Sequence, residues 1–104
     1  MIIRTGVDLI EIERIEAAIH RYGNRFLRRI FTQKEIEDSQ NKPESLAARF
    51  AAKEAVSKAL GCGIGEVGWL DIEIVSDYQH QPNLVLHNNA QKLSQALNLV
   101  TWSI

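Results

Sequence analysis

The chain has 104 residues, of which 45% are hydrophobic and 24% are charged, and its net charge is −1. These values are typical of one small globular domain and exclude an extended disordered chain. No apolar run approaches the roughly 18 residues that span a bilayer, and no basic-then-apolar leader opens the sequence, so neither a membrane protein nor a secreted protein is expected. The single cysteine, Cys62, cannot form an internal disulfide and favours a reducing compartment, for which the cytoplasm is the natural expectation.

The first predicted element is a buried strand over residues 1–7, which are mainly apolar and β-branched. A helix is predicted over residues 9–21, because isoleucines recur on one face with helical spacing. Asp8 lies at the junction of the strand and the helix. That position suits an N-cap and a metal ligand equally well, and the residues alone leave both interpretations open.

Two short helices are predicted next in the chain. The Gly-Asn pair at residues 23–24 ends the preceding helix, and residues 25–29 form a short helical turn. Thr32 and Glu35 have the spacing of a capping box, which predicts another short helix that runs to about residue 38.

The longest predicted helix spans residues 43–61, between a proline suited to a first turn and a glycine suited to a helix end. The inward-facing stripe is predicted to contain Leu46, Ala47, Phe50, Ala51, Ala55, Ser57 and Leu60. Charged residues four apart form two further pairs, Glu54 with Lys58 and Arg49 with Lys53. Taken alone, such pairs are more typical of a solvated helix face than of a catalytic site.

The remaining third of the chain predicts a small sheet and one more helix. In order, it contains a glycine-rich loop at 61–65, strands at 70–76 and 83–87, a helix at 89–97 and a last strand at 100–104. The whole chain, residues 1–104, is therefore expected to form a single α+β domain, with one long central helix and short helices packed on a mainly antiparallel sheet. The sequence contains no zinc-site spacing, no P-loop and no catalytic-triad signature.

Positive charge is concentrated between residues 14 and 29, where five arginines accompany a single acid and give a local net charge of +4. These arginines, here called the arginine patch, are Arg14, Arg21, Arg25, Arg28 and Arg29. Such asymmetry predicts a docking surface for an acidic partner. Nucleic acid is not expected as a partner, because the sequence pI is near 6.3 and no nucleic-acid motif is present.

Five segments together resemble the holo-acyl-carrier-protein synthases, the small 4'-phosphopantetheinyl transferases. They are MIIRTGVDLIEI at 1–12, FTQKE at 31–35, RFAAKEAVSK at 49–58, GCGIG at 61–65 and DIEI at 71–74. They follow the order found in the family and cover most of the chain. The resemblance implies transfer of the phosphopantetheine arm of coenzyme A to a serine of apo acyl carrier protein, with release of adenosine 3',5'-bisphosphate, as part of fatty acid biosynthesis.

The resemblance also implies roles for particular residues. Asp8 and Glu54 match the two carboxylates that bind Mg²⁺, and Lys58 matches a lysine that faces the phosphates, so Glu54 and Lys58 are the expected catalytic residues. The residues expected to contact coenzyme A are Arg49, Lys53, Lys58, Gly61 and Gly63. The acceptor of the serine proton stays open between Glu54 and a metal-bound water.

Four arginines of the arginine patch match docking positions for the acidic carrier protein: Arg14, Arg21, Arg25 and Arg28. The family is typically a homotrimer with its sites between subunits, which is the expected assembly here, without a membrane partner. Family members usually continue through a Ser-His dipeptide and a further strand, whereas this sequence stops at Ile104. The resemblance therefore predicts a chain that lacks the family's last segment, and the alternative function is a catalytically weak module that only binds an acidic protein.

Overall fold

The computed structural model describes residues 9–61 and 63–97. Its helices are α1 (Leu9–Tyr22), α2 (Asn24–Ile30), α3 (Gln33–Ser39), α4 (Pro43–Ala59) and α5 (Asn88–Ala96), and its strands are β1 (Ile72–Ser76) and β2 (Pro82–Leu86). The predicted strands at 1–7 and 100–104, with Asp8 and Cys62, lie outside the described residues. The described elements confirm the predicted α+β fold class.

The ends of the short helices follow local sequence signals. Gly23 has a φ of 59° and separates α1 from α2, as the glycine there predicts. The capping box at the start of α3 is confirmed: Thr32 Oγ1 accepts from the backbone N–H of Glu35 at 3.2 Å, and Glu35 Oε1 accepts from the N–H of Thr32 at 2.9 Å. These signals fix where the chain turns before it enters α4.

α4 begins at Pro43 and ends one residue before its cap at Leu60, close to the predicted bounds. Its predicted inward stripe is only partly correct. Ala55 is exposed and Phe50 and Ala51 are half-buried, whereas Arg49 and Lys53 are buried. The helix is therefore rotated so that two cations face the interior, which apolar periodicity cannot predict.

The predicted hairpin is confirmed as an antiparallel pair in which Ile72 lies opposite Leu86 and Ile74 lies opposite Leu84. Ile72 and Ile74 point towards α4, and they are fully buried with Val56 and Ala90. A 3-10 turn over Trp69–Asp71 precedes β1, so this strand begins two residues later than predicted.

A second apolar cluster lies between α1, α2 and α4. Its buried members are Ile15, Leu27, Ile30, Phe31, Leu46 and Ala47. α4 thus contributes to both clusters, with the sheet on one side and α1 on the other, which confirms its central position. Within residues 9–61 and 63–97 no helix combines the length and the apolar character that crossing a membrane requires.

The edge of β1 that faces away from β2 is covered by charged side chains of α3 and α4. Two cations of α4 donate to backbone carbonyls at this edge: Lys53 Nζ to Ile72 (2.6 Å) and Arg49 Nε to Ile74 (3.2 Å). Two carboxylates of α3 accept from backbone N–H groups: Glu35 Oε2 from Ile74 (3.0 Å) and Asp38 Oδ2 from Ser76 (2.8 Å). Backbone groups that would otherwise be free for another strand are therefore satisfied by side chains.

Candidate active site

A pocket of about 290 Å³ lies between α1 and α4 and contains two of the residues predicted from different parts of the sequence. Glu54 of α4 and Arg14 of α1 both line it. The other lining residues are Glu11, Ile15, Ala18, Phe26 and Phe50. The pocket therefore has an apolar floor with two carboxylates and one guanidinium around it. This arrangement suits a polar reacting group that is flanked by apolar contacts.

A second pocket, of about 600 Å³, adjoins the first. It is lined by Tyr22, Arg25, Phe26 and Arg29. Phe26 lines both pockets, so they meet at this side chain. One surface therefore extends from Glu54 past Arg14 to the cations of α2, and it joins the candidate catalytic carboxylate to the arginine patch.

The four arginines predicted to dock the carrier protein are all exposed. Arg14 keeps 73% of its side chain in solvent and lies 3.7 Å from Glu11 in an exposed ion pair. The Arg21 guanidinium lies 5.4 Å from the centre of the Tyr22 ring, a cation–π distance. All five arginines of the patch are therefore accessible to a partner's carboxylates at the protein surface.

Glu54 and Lys58 lie one turn apart on α4, so their side chains share a face of the helix. Lys58 is exposed and Glu54 is half-buried. After the helix ends, Gly61 and Gly63 have φ values of 82° and 70°, and a Cβ on either residue would meet nothing within 4 Å. Their N–H groups are directed back to the helix, from Gly61 to the Lys58 carbonyl and from Gly63 to the Ser57 carbonyl. The loop beside Lys58 thus has a backbone held by hydrogen bonds and free space next to both glycines.

Arg49 and Lys53 lie elsewhere than the sequence predicted. Their exposed fractions are 1% and 0%, and within the described residues their charged groups hydrogen-bond to interior atoms. Besides Ile74, the Arg49 guanidinium contacts Ser45 and, at 3.1 Å, Ser76 Oγ. This placement argues against the predicted contact with coenzyme phosphates, because neither cation reaches the surface. Both instead attach α4 to β1.

Lys53 is the centre of a buried polar network. Its Nζ lies 2.6 Å from Glu35 Oε1 and 2.9 Å from the carbonyl of Trp69. Burial lowers the pKa of Lys53 below its ordinary value, and the adjacent Glu35 carboxylate opposes that effect. Burial also lowers the pKa of Arg49, and the negative charges of Glu35 and Asp38 oppose this lowering.

The network continues to the surface through Glu73. Glu73 Oε2 accepts a hydrogen bond of 2.5 Å from the Thr32 hydroxyl, and Glu73 Oε1 lies 3.0 Å from His87 Nε2. Burial raises the pKa of Glu73, but the hydrogen bonds from Thr32 and His87 and the nearby positive charges outweigh burial and hold this pKa below its ordinary value. Thr32 also caps α3, so this carboxylate links β1 to the helix that supplies Glu35.

Sequence reasoning missed several residues of the site. Glu11, Phe26 and Phe50 line the pocket, and Glu35 pairs with Lys53. The sequence indicates Glu35 as part of a capping box and of the FTQKE segment, but its pairing depends on Lys53, 18 positions later in the chain. The pocket-lining aromatic residues are spaced like ordinary core residues, so no local signal distinguishes them.

The pocket lining includes two carboxylates, a group that binds hard divalent cations. Glu54 and Glu11 supply carboxylate oxygens at an open pocket, and Mg²⁺ prefers one or two such ligands with water and phosphate oxygens in its other positions. Asp8, the second predicted ligand, lies outside the described residues. Among the residues that are described, no group of three or more potential metal ligands is present.

Comparison with known proteins shows which family the chain belongs to. The family model described as the 4'-phosphopantetheinyl transferase superfamily matches residues 4–100. A protein of Herpetosiphon aurantiacus named holo-[acyl-carrier-protein] synthase is 46% identical over 107 aligned residues, which cover 96% of this chain and 84% of that protein. A protein of the same name from Chloroherpeton thalassium is 52% identical over 87 residues, which cover 80% of this chain and 72% of that protein.

Solved structures of holo-[acyl-carrier-protein] synthases are similar to the chain in fold. Helicobacter pylori holo-[acyl-carrier-protein] synthase in complex with coenzyme A has a TM-score of 0.73 and 38% identity, with 84% of this chain and 74% of that chain covered. The Neisseria meningitidis holo-[acyl-carrier-protein] synthase has a TM-score of 0.71 and 33% identity, with 86% and 74% covered. Because the family model spans nearly all of the sequence and the fold agrees, the chain belongs to the 4'-phosphopantetheinyl transferase superfamily.

Proposed function

We propose that this chain is a holo-acyl-carrier-protein synthase, which transfers the 4'-phosphopantetheine arm of coenzyme A to a serine of apo acyl carrier protein. The observation that carries the proposal is the single pocket in which Glu54 meets Arg14, on a chain that belongs to the transferase family. The two residues come from helices far apart in the sequence. That both line one pocket supports a reaction site beside the proposed docking surface.

The reaction moves one phosphoryl group between two oxygens. The serine oxygen of the carrier protein bonds to the phosphorus next to the pantetheine arm, and the bond from that phosphorus to the bridging pyrophosphate oxygen breaks. Adenosine 3',5'-bisphosphate leaves with the electron pair, and the serine proton passes to a base. The nucleophile belongs to the partner, so this chain needs no nucleophile of its own.

The side chains of this chain would position the substrates and neutralise charge. The Glu54 carboxylate, with Asp8, would hold Mg²⁺, which when bound neutralises charge on the pyrophosphate. Lys58, one turn further along the same exposed face, would direct its ammonium group to the transferring phosphoryl group. The open glycine loop that follows would let the coenzyme approach the backbone. The residue that accepts the serine proton stays open between Glu54 and water.

The arginine patch would receive the acidic surface of the carrier protein. Its exposed cations extend from the pocket along α1 and α2, so a docked partner would present its serine beside Glu54. Opposite charges accelerate such encounters and fix their orientation. Arg49 and Lys53 are assigned here to the support of α4, because both are buried.

We also propose that the chain acts in the cytoplasm as a homotrimer. Large apolar side chains are exposed on the described surface, with Leu9 at 67% and Ile10 at 61%, and a domain of this size gains stability when such groups are covered. Sedimentation equilibrium would test the assembly, with the mass of three chains of 11.8 kDa as the expected result.

The transfer itself is tested by a mass spectrum of apo acyl carrier protein after incubation with this chain, coenzyme A and Mg²⁺. We expect a phosphopantetheine adduct on the carrier serine, which is lost when the metal is omitted. The E54A variant should give no adduct and should still bind the carrier protein in a pull-down at low salt. Absence of an adduct with the folded wild-type chain would contradict the proposed function, and full activity of E54A would contradict the site.

A further inference from the structure

A buried ion pair involves the residue of α4 that precedes Glu54. Lys53 and Glu35 both have an exposed side-chain fraction of 0%, and their charged atoms are 2.6 Å apart. The ammonium group also donates to the backbone carbonyls of Trp69 and Ile72, at 2.9 and 2.6 Å. A lysine with three acceptors has no free donor and a single orientation. The described contacts of Lys53 therefore fix its position from three sides.

The position of Lys53 determines where Glu54 points. Successive residues of an α-helix are about 100° apart around its axis. Because Lys53 is directed at α3 and β1, Glu54 is directed to a neighbouring side of α4, where it lines the pocket against α1. A rotation of α4 that freed Lys53 from Glu35 would also turn Glu54 away from that pocket.

A second route connects the ion pair to the same pocket. The carbonyl held by Lys53 belongs to Trp69, whose ring stacks on Phe50 with centroids 4.7 Å apart and an interplanar angle of 22°. Phe50 lines the pocket beside Glu54. Lys53 therefore holds both a carboxylate and an apolar wall of the pocket without touching its interior.

A buried ion pair is weak evidence for a stabilising role, because the cost of desolvation offsets much of the attraction between the charges. We propose that Glu35 and Lys53 are positioning residues for phosphopantetheine transfer, which hold α4 at the rotation that presents Glu54 and Phe50 to the pocket. This inference rests on the proposed function. It adds an acidic residue of α3 to the machinery and replaces the predicted coenzyme contact of Lys53 with an indirect role.

The test uses two variants of the full chain. E35Q/K53M removes both charges, and the single amide oxygen that remains can accept from only one of the two N–H groups, of Thr32 and Ile74, that the Glu35 carboxylate serves. K53R keeps the cation but changes its reach and shape. Thermal unfolding first establishes that each variant is folded at the assay temperature. We then expect kcat to fall about 10- to 100-fold, as for supporting residues of other sites, with the KM for carrier protein unchanged.

Two readouts separate positioning from a general loss of stability. The NMR signal of the Trp69 indole N–H, assigned by comparison with W102F, should shift in both variants. The reason is that the backbone carbonyl of Trp69 loses its lysine donor in one variant and receives a different donor in the other. In a double-mutant cycle under single-turnover conditions, K53R should cause a smaller fold-loss in the E54Q background than in the wild-type background, because part of its effect is transmitted through Glu54. Independent effects would multiply instead.

The matched control is E37Q/K92M, which removes one acid and one base at exposed positions of α3 and α5. It should retain the wild-type kcat. A folded E35Q/K53M or K53R with the wild-type kcat, or losses that multiply with E54Q, would overturn the inference. If the wild-type chain shows no transfer in the same assay, the proposed function fails instead, so the two failures are distinguishable.

Discussion

Two adjacent residues of α4, Lys53 and Glu54, have opposite environments. The lysine is fully buried and paired with Glu35, and the glutamate is half-buried and lines the pocket. The sequence places both in a run of charged residues with helical spacing, in which neither differs from a solvated side chain. The environment that separates them depends on contacts with α3 and β1, which lie far from both in the chain. Family resemblance correctly indicated the helix, but it could not show which of its cations turns inward.

Arg14 differs from the other arginines of the patch in its position. It is the member that lines the same pocket as Glu54, and most of its side chain is in solvent. We predict that R14E raises the KM for carrier protein and leaves kcat nearly unchanged, because the reversed charge repels an acidic partner without altering the reacting groups.

Steady-state kinetics at low and high ionic strength measure this effect. The difference between R14E and the wild-type chain should diminish as salt screens the exposed charges. K92E, which makes the same change of charge on α5, serves as the control and should keep the wild-type KM. An unchanged KM for R14E at low salt would contradict docking at this pocket.

At the scale of elements, the edge of β1 explains why α4 buries cations. Backbone carbonyls and N–H groups at this edge require partners, and long charged side chains from α3 and α4 reach them. Helix and hairpin bounds could be predicted because capping residues, glycines and apolar alternation are local signals. The contact between α3, α4 and β1 could not, because residues 35, 53 and 74 share no local pattern.

This role of the edge predicts a large effect for R49M. The substitution removes the donor to the Ile74 carbonyl and leaves that buried acceptor unpaired. We expect the free energy of unfolding to fall by about 1 to 3 kcal/mol. Urea denaturation measures it, with R28M as a control on the exposed face of α2, for which a change within about 0.5 kcal/mol is expected. Equal stability of the two variants would contradict the assignment of Arg49 to the fold.

The Glu73 carboxylate predicts the dependence of stability on pH. Its pKa in the folded chain lies below the ordinary value of 4.5, since hydrogen bonds from Thr32 and His87 and nearby positive charges outweigh burial. A carboxylate with a lowered pKa stabilises the fold at a pH above its unfolded value, and this contribution is lost as the pH falls through the folded value. E73Q should therefore reduce the loss of stability on acidification from near pH 5 downwards. If the free energies of unfolding of E73Q and the wild-type chain fell by equal amounts as the pH decreased over that range, this assignment would be contradicted.

At the scale of the whole molecule, charge is distributed unevenly, and the pockets follow that distribution. The local net charge of +4 between residues 14 and 29 lies within a chain of net charge −1. The described structure places these arginines on α1 and α2, and three of them, Arg14, Arg25 and Arg29, line two pockets that meet at Phe26. Charge asymmetry and family resemblance predict a docking surface for an acidic protein. The pocket that joins this surface to Glu54 required the packing of α1 against α4.

The most direct test of this account is a titration of the ¹⁵N-labelled chain with apo acyl carrier protein, followed by NMR. The account predicts that the amide signals that shift belong to residues of α1, α2 and α4 around the pocket, with Ala18, Phe26 and Phe50 among them. Signals of β2 and α5 should stay in place. Shifts confined to β2 and α5, with those pocket residues unaffected, would contradict the claim that carrier protein meets Glu54 at this surface.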